Sequence, residues 1–269
     1  INRRHAHSSE SPDVLTTTPD LIMLRLNDCV VLSAAILFSG DQAALAQPPT
    51  LPGTEEADIE LVAHTPEKLA QAVWVEQPPT LDGDILNDPT WTGVEPISGF
   101  QQSAPDEGQP ASERTEVRVV FTDDTIYFGV ICYDQDPSAI IVSDSRRDSS
   151  MNDSDSFQMV LDTFSDQQNG FVFGTTPAGQ EYDGQVINEG GSRSFFGSAG
   201  RGGFSRGSGG GFNLNWDGAW QVRTNTSALG WSAEFAIPFR TIRYPDRESQ
   251  VWGLNFQRNI RRRNETAYW

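Results

Sequence analysis

The run Thr115-Glu116-Val117-Arg118-Val119-Val120-Phe121-Thr122-Asp123-Asp124-Thr125-Ile126-Tyr127-Phe128-Gly129-Val130-Ile131-Cys132-Tyr133 decides the fold. Val117, Val119 and Phe121 fall on one side of an extended chain, the period of two of a strand that lays one face on a core. A second β-rich run, Thr125 to Tyr133, follows at once. The link between them, Thr122-Asp123-Asp124-Thr125, is short and polar, so the pair predicts an antiparallel hairpin. Cys132 sits in the apolar second run, where a buried, inert thiol is expected rather than a reactive one.

Similar runs recur on both sides of this hairpin. Asp155 to Asp162, Gly170 to Thr176, Tyr182 to Ile187, Trp220 to Thr226, Trp231 to Ile237 and Val251 to Ile260 are all short, β-rich and separated by turn residues. That spacing predicts an all-β fold, an antiparallel β-sandwich with jelly-roll or immunoglobulin-like layers. Between Gly190 and Gly211 the chain is rich in Gly, Ser and Arg, with Phe195, Phe196 and Phe204 scattered through it. This stretch reads as a loop insertion on the rim of the sandwich, or as an arginine and aromatic contact surface. A phosphate loop would need a strand before it, a helix after it and a Gly-Lys-Ser/Thr ending, and these are lacking.

The N-terminal part differs in kind. A candidate start at Met23, the basic Arg25, an apolar run from Val30 to Phe38 and Ala44-Leu45-Ala46 before Gln47 follow the order of a secretory signal peptide. A buried helix is the competing reading, against which Asp28 and Asp41 bracket the run. The apolar run is too short to span a bilayer. Four segments result: 1–22 as upstream sequence without structure, 23–46 as signal peptide, 47–77 as a linker rich in Pro, Glu and Ala with a short amphipathic turn near Glu67 to Val75, and 78–269 as the sandwich. Cleavage after Ala46 would remove Cys29 and leave Cys132 alone, so the exported protein would carry no internal disulfide. The expected locations are the periplasm, the outer membrane or the extracellular space. A net charge of −18 over 269 residues makes nucleic acid an unfavourable partner.

Five segments, taken in order, carry a resemblance. They are Leu81-Asp82-Gly83-Asp84 with Trp91; Val119 to Gly129; Asn152-Asp153-Ser154-Asp155-Ser156-Phe157-Gln158-Met159-Val160-Leu161-Asp162; Gly230-Trp231-Ser232-Ala233-Glu234-Phe235-Ala236-Ile237-Pro238-Phe239; and Trp252-Gly253-Leu254-Asn255-Phe256-Gln257-Arg258. Together they resemble the family 9 carbohydrate-binding modules, over nearly all of Pro78 to Trp269. From the residues themselves, Asp82-Gly83 predicts a turn with a residue at positive φ, Trp91 a plug for one end of the core, and Pro238 a strand end.

The resemblance implies a non-catalytic module that binds poly- or oligosaccharide by aromatic stacking and amide hydrogen bonds. Carried over position by position, it puts Gln158 and Gln257 at sugar contacts and Asn152 where relatives hold a stacking tryptophan. It also places further contacts beyond Trp269. Trp216, Trp220 and Phe212 are candidates for a substitute platform, and equally candidates for core and edge aromatics. The Asp144, Asp148, Asp153 and Asp155 loop is a candidate for structural calcium, which the resembled family often carries, unless Arg146 and Arg147 neutralise it. No cofactor other than calcium is expected. Rival readings are a glycosidase, for which no carboxylate pair stands out, and haem binding, for which His64, Met151 and Met159 are poorly placed. The same module also resembles the N-terminal part of outer-membrane-associated proteins. That likeness implies a linked downstream β-barrel or catalytic domain, with the module serving as plug, partner-binding or glycan-capturing unit.

Overall fold

The computed structural model describes residues 21–26, 68–187 and 211–269. These residues form two sheets and no α-helix. The strands are β1 (Leu21–Leu26), β2 (Leu69–Gln71), β3 (Val73–Trp74), β4 (Gln101–Ala104), β5 (Thr115–Phe121), β6 (Thr125–Tyr133), β7 (Ser156–Asp162), β8 (Gly170–Thr175), β9 (Tyr182–Ile187), β10 (Gly211–Asn213), β11 (Gln221–Ser227), β12 (Gly230–Pro238), β13 (Ser249–Ile260) and β14 (Glu265–Tyr268). Sheet A runs β10-β9-β8-β7-β13-β1-β2, with β14 on the far half of β13 and β4 on β14. Sheet B runs β11-β12-β6-β5-β3. The predicted hairpin is present as β5 and β6, paired from Thr115↔Cys132 to Phe121↔Ile126.

Alternation sorts the side chains of each strand between a core and an outer face. From sheet A, Phe157, Met159 and Leu161 of β7, Phe171 and Phe173 of β8, and Trp252, Leu254 and Phe256 of β13 turn inward. Sheet B answers with Val117, Val119, Ile126, Phe128, Val130, Trp231, Phe235 and Ile237. The layers interlock through rings: Phe157 lies 6.1 Å from Phe235 and Phe128 lies 6.4 Å from Phe256. Each fully buried large side chain of this kind stabilises the fold by about 1.5–3 kcal/mol. Arg258 also points into the core, fully buried, and its guanidinium donates to the carbonyls of Arg114 (2.8 Å) and Tyr133 (2.7 Å) and to Thr115 Oγ1 (3.0 Å). Cys132 is buried beside it, and burial pushes the thiol up to about 12.

Three departures from the sequence reading stand out. The sandwich is antiparallel except for two parallel pairs, β1 with β13 and β3 with β5. Residues 69–74, read as linker with an amphipathic turn, supply β2 and β3. Leu21–Leu26, read as unstructured residues and the start of a signal peptide, is a strand between β13 and β2, with Ile22 fully buried. A mostly apolar hexapeptide is as compatible with a covered strand as with a leader. The apolar run from Val30 to Phe38, Ala44 to Ala46 and most of the Gly-rich insertion lie outside the described residues.

The outer face of sheet B is apolar, and a covering segment keeps it from water. Trp91 lies on this face with Ile85, Val94, Val120 and Ile131, so it plugs the outside of the sheet rather than an end of the core. Gly129 makes room for it: a Cβ there would stand 3.1 Å from the indole. Glu234, fully buried on the same face of β12, accepts from Trp91 Nε1 (2.8 Å) and from the backbone N–H groups of Asp82 (3.0 Å) and Gly83 (2.7 Å). Gly83 has the positive φ, +87°, that the Asp-Gly turn predicts.

Burial raises the Glu234 pKa above the ordinary glutamate value in spite of the three donors. Its stabilising contribution is therefore complete below that ordinary value and is lost as pH rises through the raised one. Replacing Glu234 by Gln leaves an NH₂ group facing an N–H donor and is expected to cost about 1–3 kcal/mol in urea unfolding at neutral pH. The same variant should flatten the fall in stability as pH rises from about 4. A variant as stable as the parent, with an unchanged pH profile, would show that the carboxylate does not hold the turn.

Candidate functional site

The outer face of sheet A has the opposite character. Register places Tyr182 beside Gly174, Gly174 beside Gln158, Gln158 beside Gln257, and Gln257 beside Tyr268. Residues directly opposed across a ladder share a face, so these five form one row across β9, β8, β7, β13 and β14. A tyrosine stands at each end, with two amides and a glycine between. The row exists because Gln158 alternates with Phe157 and Met159, and Gln257 with Phe256 and Arg258, all of which turn inward.

Neighbouring rows extend the polar floor. Ser156, Asn259 and Thr266 align in one. There Asn259 donates through Nδ2 to Ser156 Oγ (3.0 Å) and accepts at Oδ1 from Thr266 Oγ1 (3.1 Å) and Gln257 Nε2 (2.9 Å). On the other side the floor turns apolar: Gly184, Val172, Val160 and Asn255 align, the Phe212 ring lies over Gly184, and Val172 and Tyr182 are buried in a small cluster with Met151 and Val186 against which Val160 and Phe212 pack. Phe212 stacks on Tyr182 with ring centroids 6.3 Å apart and planes 19° from parallel. Burial, with the Asp148 charge adding, pushes the Tyr182 phenol up to about 12, so it stays protonated at physiological pH.

The floor is only partly satisfied. Asn255 Oδ1 is buried with no hydrogen-bond partner. The Gln158 amide and Gln257 Oε1 likewise make no hydrogen bond with a described residue. A buried amide oxygen left unpaired costs about 1–3 kcal/mol, so an uncommitted acceptor here marks a place where a donor is wanted. Around it lie amides, hydroxyls and aromatic rings; no carboxylate, histidine or cysteine belongs to these rows. Such a surface can orient and hold a polyhydroxylated molecule.

The residues singled out from the sequence are therefore brought together in part. Gln158 and Gln257 are direct partners in the row, and Phe212 lies on the same face. Trp220 does not: it is 6% exposed, packs in the core against Phe173 and lies parallel to Phe235 at 5.8 Å. Trp216 packs on Phe171 at 5.1 Å at the margin of that core. Of the two readings, core and edge packing describes them: Trp220 lies between the sheets and Trp216 half-buried at their margin. Asn152 is exposed in the loop before β7, next to Met151, which packs beside Gln158 at the Gly174 position.

The calcium expectation is corrected too. Asp144 is engaged by Arg146 at 2.7 Å, and this hydrogen bond holds its carboxyl well below the usual range. Asp148 faces Arg147 at 3.7 Å, Asp153 is exposed, and Asp155 is buried with Oδ2 accepting from the Ile141 N–H at 2.8 Å. Among the described residues no group of three or more acids, histidines or cysteines is placed to hold a metal. Arg146, Arg147 and the Ile141 N–H engage Asp144, Asp148 and Asp155 Oδ2 separately, and Asp155 Oδ1 is buried without a hydrogen-bond partner.

No protein-family model and no curated protein sequence matches the chain. Solved structures give partial likenesses. A family 9 carbohydrate-binding module from Caldicellulosiruptor kristjanssonii in complex with cellotriose is 16% identical, with a TM-score of 0.47, over 73% of this chain and 83% of that one. The complex of such a module from the same organism with glucose gives 17% and 0.43 over 73% and 84%. A Bacteroides uniformis protein assigned to carbohydrate binding gives 11% and 0.48 over 74% and 87%. Identity this low leaves ligand and role to be argued from the residues of this chain.

Sequence reasoning missed Tyr182, Gly174, Asn255, Asn259 and Tyr268. The signal was present in Asn255-Phe256-Gln257-Arg258-Asn259, where amides at every second position mark one polar face of a long strand. Gly174 is the residue that keeps the row open, since a Cβ there would meet Gln158 Cγ at 2.8 Å and Met151 Cε at 3.2 Å. Gly174→Ala is expected to destabilise by about 1–3 kcal/mol through overpacking and to move the side-chain amide resonances of Gln158 in a ¹⁵N spectrum. Unmoved Gln158 signals would mean that the glycine does not set this side chain.

Proposed function

We propose that the outer face of sheet A binds an oligosaccharide without acting on it chemically. The observation that carries this reading is the uncommitted amide floor, Asn255 Oδ1 with the Gln158 amide and Gln257 Oε1, set between aromatic residues. Sugar hydroxyls both donate and accept, and amides are the side chains that answer in both senses without fixed charge. Aromatic rings offer the apolar C–H face of a pyranose a matching surface. From Tyr182 to Tyr268 the row crosses four interstrand steps of about 4.8 Å, about 19 Å in all, which suits several linked sugar units better than one. The five ordered motifs that resemble family 9 carbohydrate-binding modules support the same ligand class.

Export through the 23–46 segment belongs to this proposal, since an extracytoplasmic address suits a glycan-binding role. Processing after Ala46 would remove β1 and open the near half of β13. N-terminal sequencing of the protein purified from its native envelope or medium is expected to read Gln47-Pro48-Pro49. A chain that retains Leu21 to Leu26 would assign β1 to the working protein and reject the leader.

Isothermal titration calorimetry and affinity gel electrophoresis against soluble β- and α-glucans, xylans and mannans should give binding in the millimolar to micromolar range for at least one of them. Gln158→Ala and Gln257→Ala should each weaken it by more than about 1 kcal/mol, roughly five- to tenfold, at a temperature where unfolding curves show both variants fully folded. Failure to bind any glycan, or full affinity in both variants, would remove the assignment and leave the fold as described.

A further inference from the structure

A cavity lies on the opposite side of the sandwich from the amide face. It measures about 270 Å³ and sits at the end of the sheet B outer face, between the Asp84 to Asn87 segment and the turn that joins β11 to β12. Ile85, Leu86, Ile131 and Leu229 give it an aliphatic lining. Leu86 and Leu229 remain 54% and 49% exposed, an unusual share for two large aliphatic side chains that line one opening. Asp84, Asn87, Asn225, Ser227 and Ser232 are its polar lining residues, of which Asp84 is the one with an acidic side chain, and no lysine, arginine or histidine takes part. Asp84 accepts from Asn87 Nδ2 at 2.7 Å through one oxygen and pairs with no described cation.

The chemistry of this cavity is not that of the amide face. The exposed lining is branched aliphatic, and Trp231 behind it is turned into the core and only 2% exposed, so a sugar ring finds no flat surface to stack on. An anionic head such as a fatty-acid carboxylate or a phosphate would meet an unpaired carboxylate in a protein of net charge −18. A cavity of about 150 Å³ is enough to take up benzene, so about 270 Å³ has room for one ring and a short arm. We infer that this cavity is a second ligand site, selective for a small arylalkyl ammonium ion, with the hydrocarbon on Leu86 and Leu229 above the buried Ile85 and Ile131, and the ammonium at Asp84.

Three near-isosteric probes test this: 2-phenylethylammonium, 2-phenylethanol and 3-phenylpropionate, titrated into the whole chain and followed by the methyl resonances of Leu86, Ile131 and Leu229. The ammonium ion is expected to bind with a Kd of about a millimolar and the propionate to bind weakest. The ammonium should outbind the alcohol by about three- to fivefold, the scale of a partly exposed ion pair. Asp84→Asn should bring the ammonium down to the level of the alcohol and leave the alcohol unchanged, while Leu229→Ser should weaken both. Gln257→Ala, on the other sheet, should leave amine binding intact whether or not it abolishes glycan binding, which separates this site from the one proposed above. Absence of methyl shifts up to about 20 mM ammonium, or an ammonium preference that survives Asp84→Asn, overturns the inference.

Discussion

A single buried carboxylate decides how this sandwich presents itself to water. Glu234 takes three donors from a segment some 150 positions earlier in the chain and so lays Trp91 and Ile85 over the outside of sheet B. Without that clasp, Val120 and Ile131 would face solvent beside Trp91, and the sheet would carry an exposed apolar patch. The geometry is demanding. The turn must reach positive φ at Gly83, the indole must find room over Gly129, and the two oxygens of Glu234 must serve the ring and the turn at once. The raised pKa of Glu234 is the electrostatic trace of holding a carboxylate in this place.

With sheet B covered by its own chain, sheet A carries the amide face, bordered over β8 and β9 by a small apolar cluster of Met151, Val172, Tyr182 and Val186. Its inward residues are as apolar as those of any sandwich, and so its outward ones are free to be chosen for something other than the core. The selection of amides there is physically pointed. A strand face meant only for water tolerates charged residues with long stems, and these are what a chain of net charge −18 has in supply. Instead Gln158, Asn255, Gln257 and Asn259 sit low on the sheet, three of them less than 9% exposed, at a desolvation cost that their mutual hydrogen bonds offset only in part.

Much of the fold was legible because strand alternation is a local signal. β5, β6 and β9 begin and end where the pattern of Val, Ile, Phe and Tyr says they should, and β7, β8, β11, β12 and β13 differ by a residue or two. The strands that were missed carry no such pattern. β2, β3, β4 and β10 have two to four residues each, too few to show a period, and exist because a longer strand offers them an edge. β1 was hidden by ambiguity, since an apolar hexapeptide beside Arg25 looks the same at the head of a leader and between two strands. The site was legible residue by residue and illegible as a surface. Gln158 and Gln257 could be named, but their pairing, and the arrival of Tyr182 and Tyr268 in the same row, are properties of register, which arises from contacts between strands distant in sequence.

The two tryptophans at the entry to β11 show why aromatic content alone is a poor guide to a binding face. Trp216 and Trp220 lie near Phe212 in sequence, yet four residues of extended chain carry Trp220 across the edge of the sandwich into contact with Phe173 and Phe235. Phe212 stays outside because β10 pairs with β9, in register with Val186, on the face that Tyr182 and Gly184 share. Side-chain chemistry is the same in kind for all three: Phe212 is held on its face by the β10–β9 ladder, whereas the two tryptophans lie in the connection that leads into β11. Aromatic residues on the amide face are thus a phenylalanine and tyrosines, smaller platforms than indole, so the amides must supply a larger share of any ligand's orientation. If the face binds sugar as proposed, it would discriminate by hydroxyl pattern, because a hydroxyl in the wrong place leaves a floor amide unpaired, whereas stacking area is nearly the same for every pyranose.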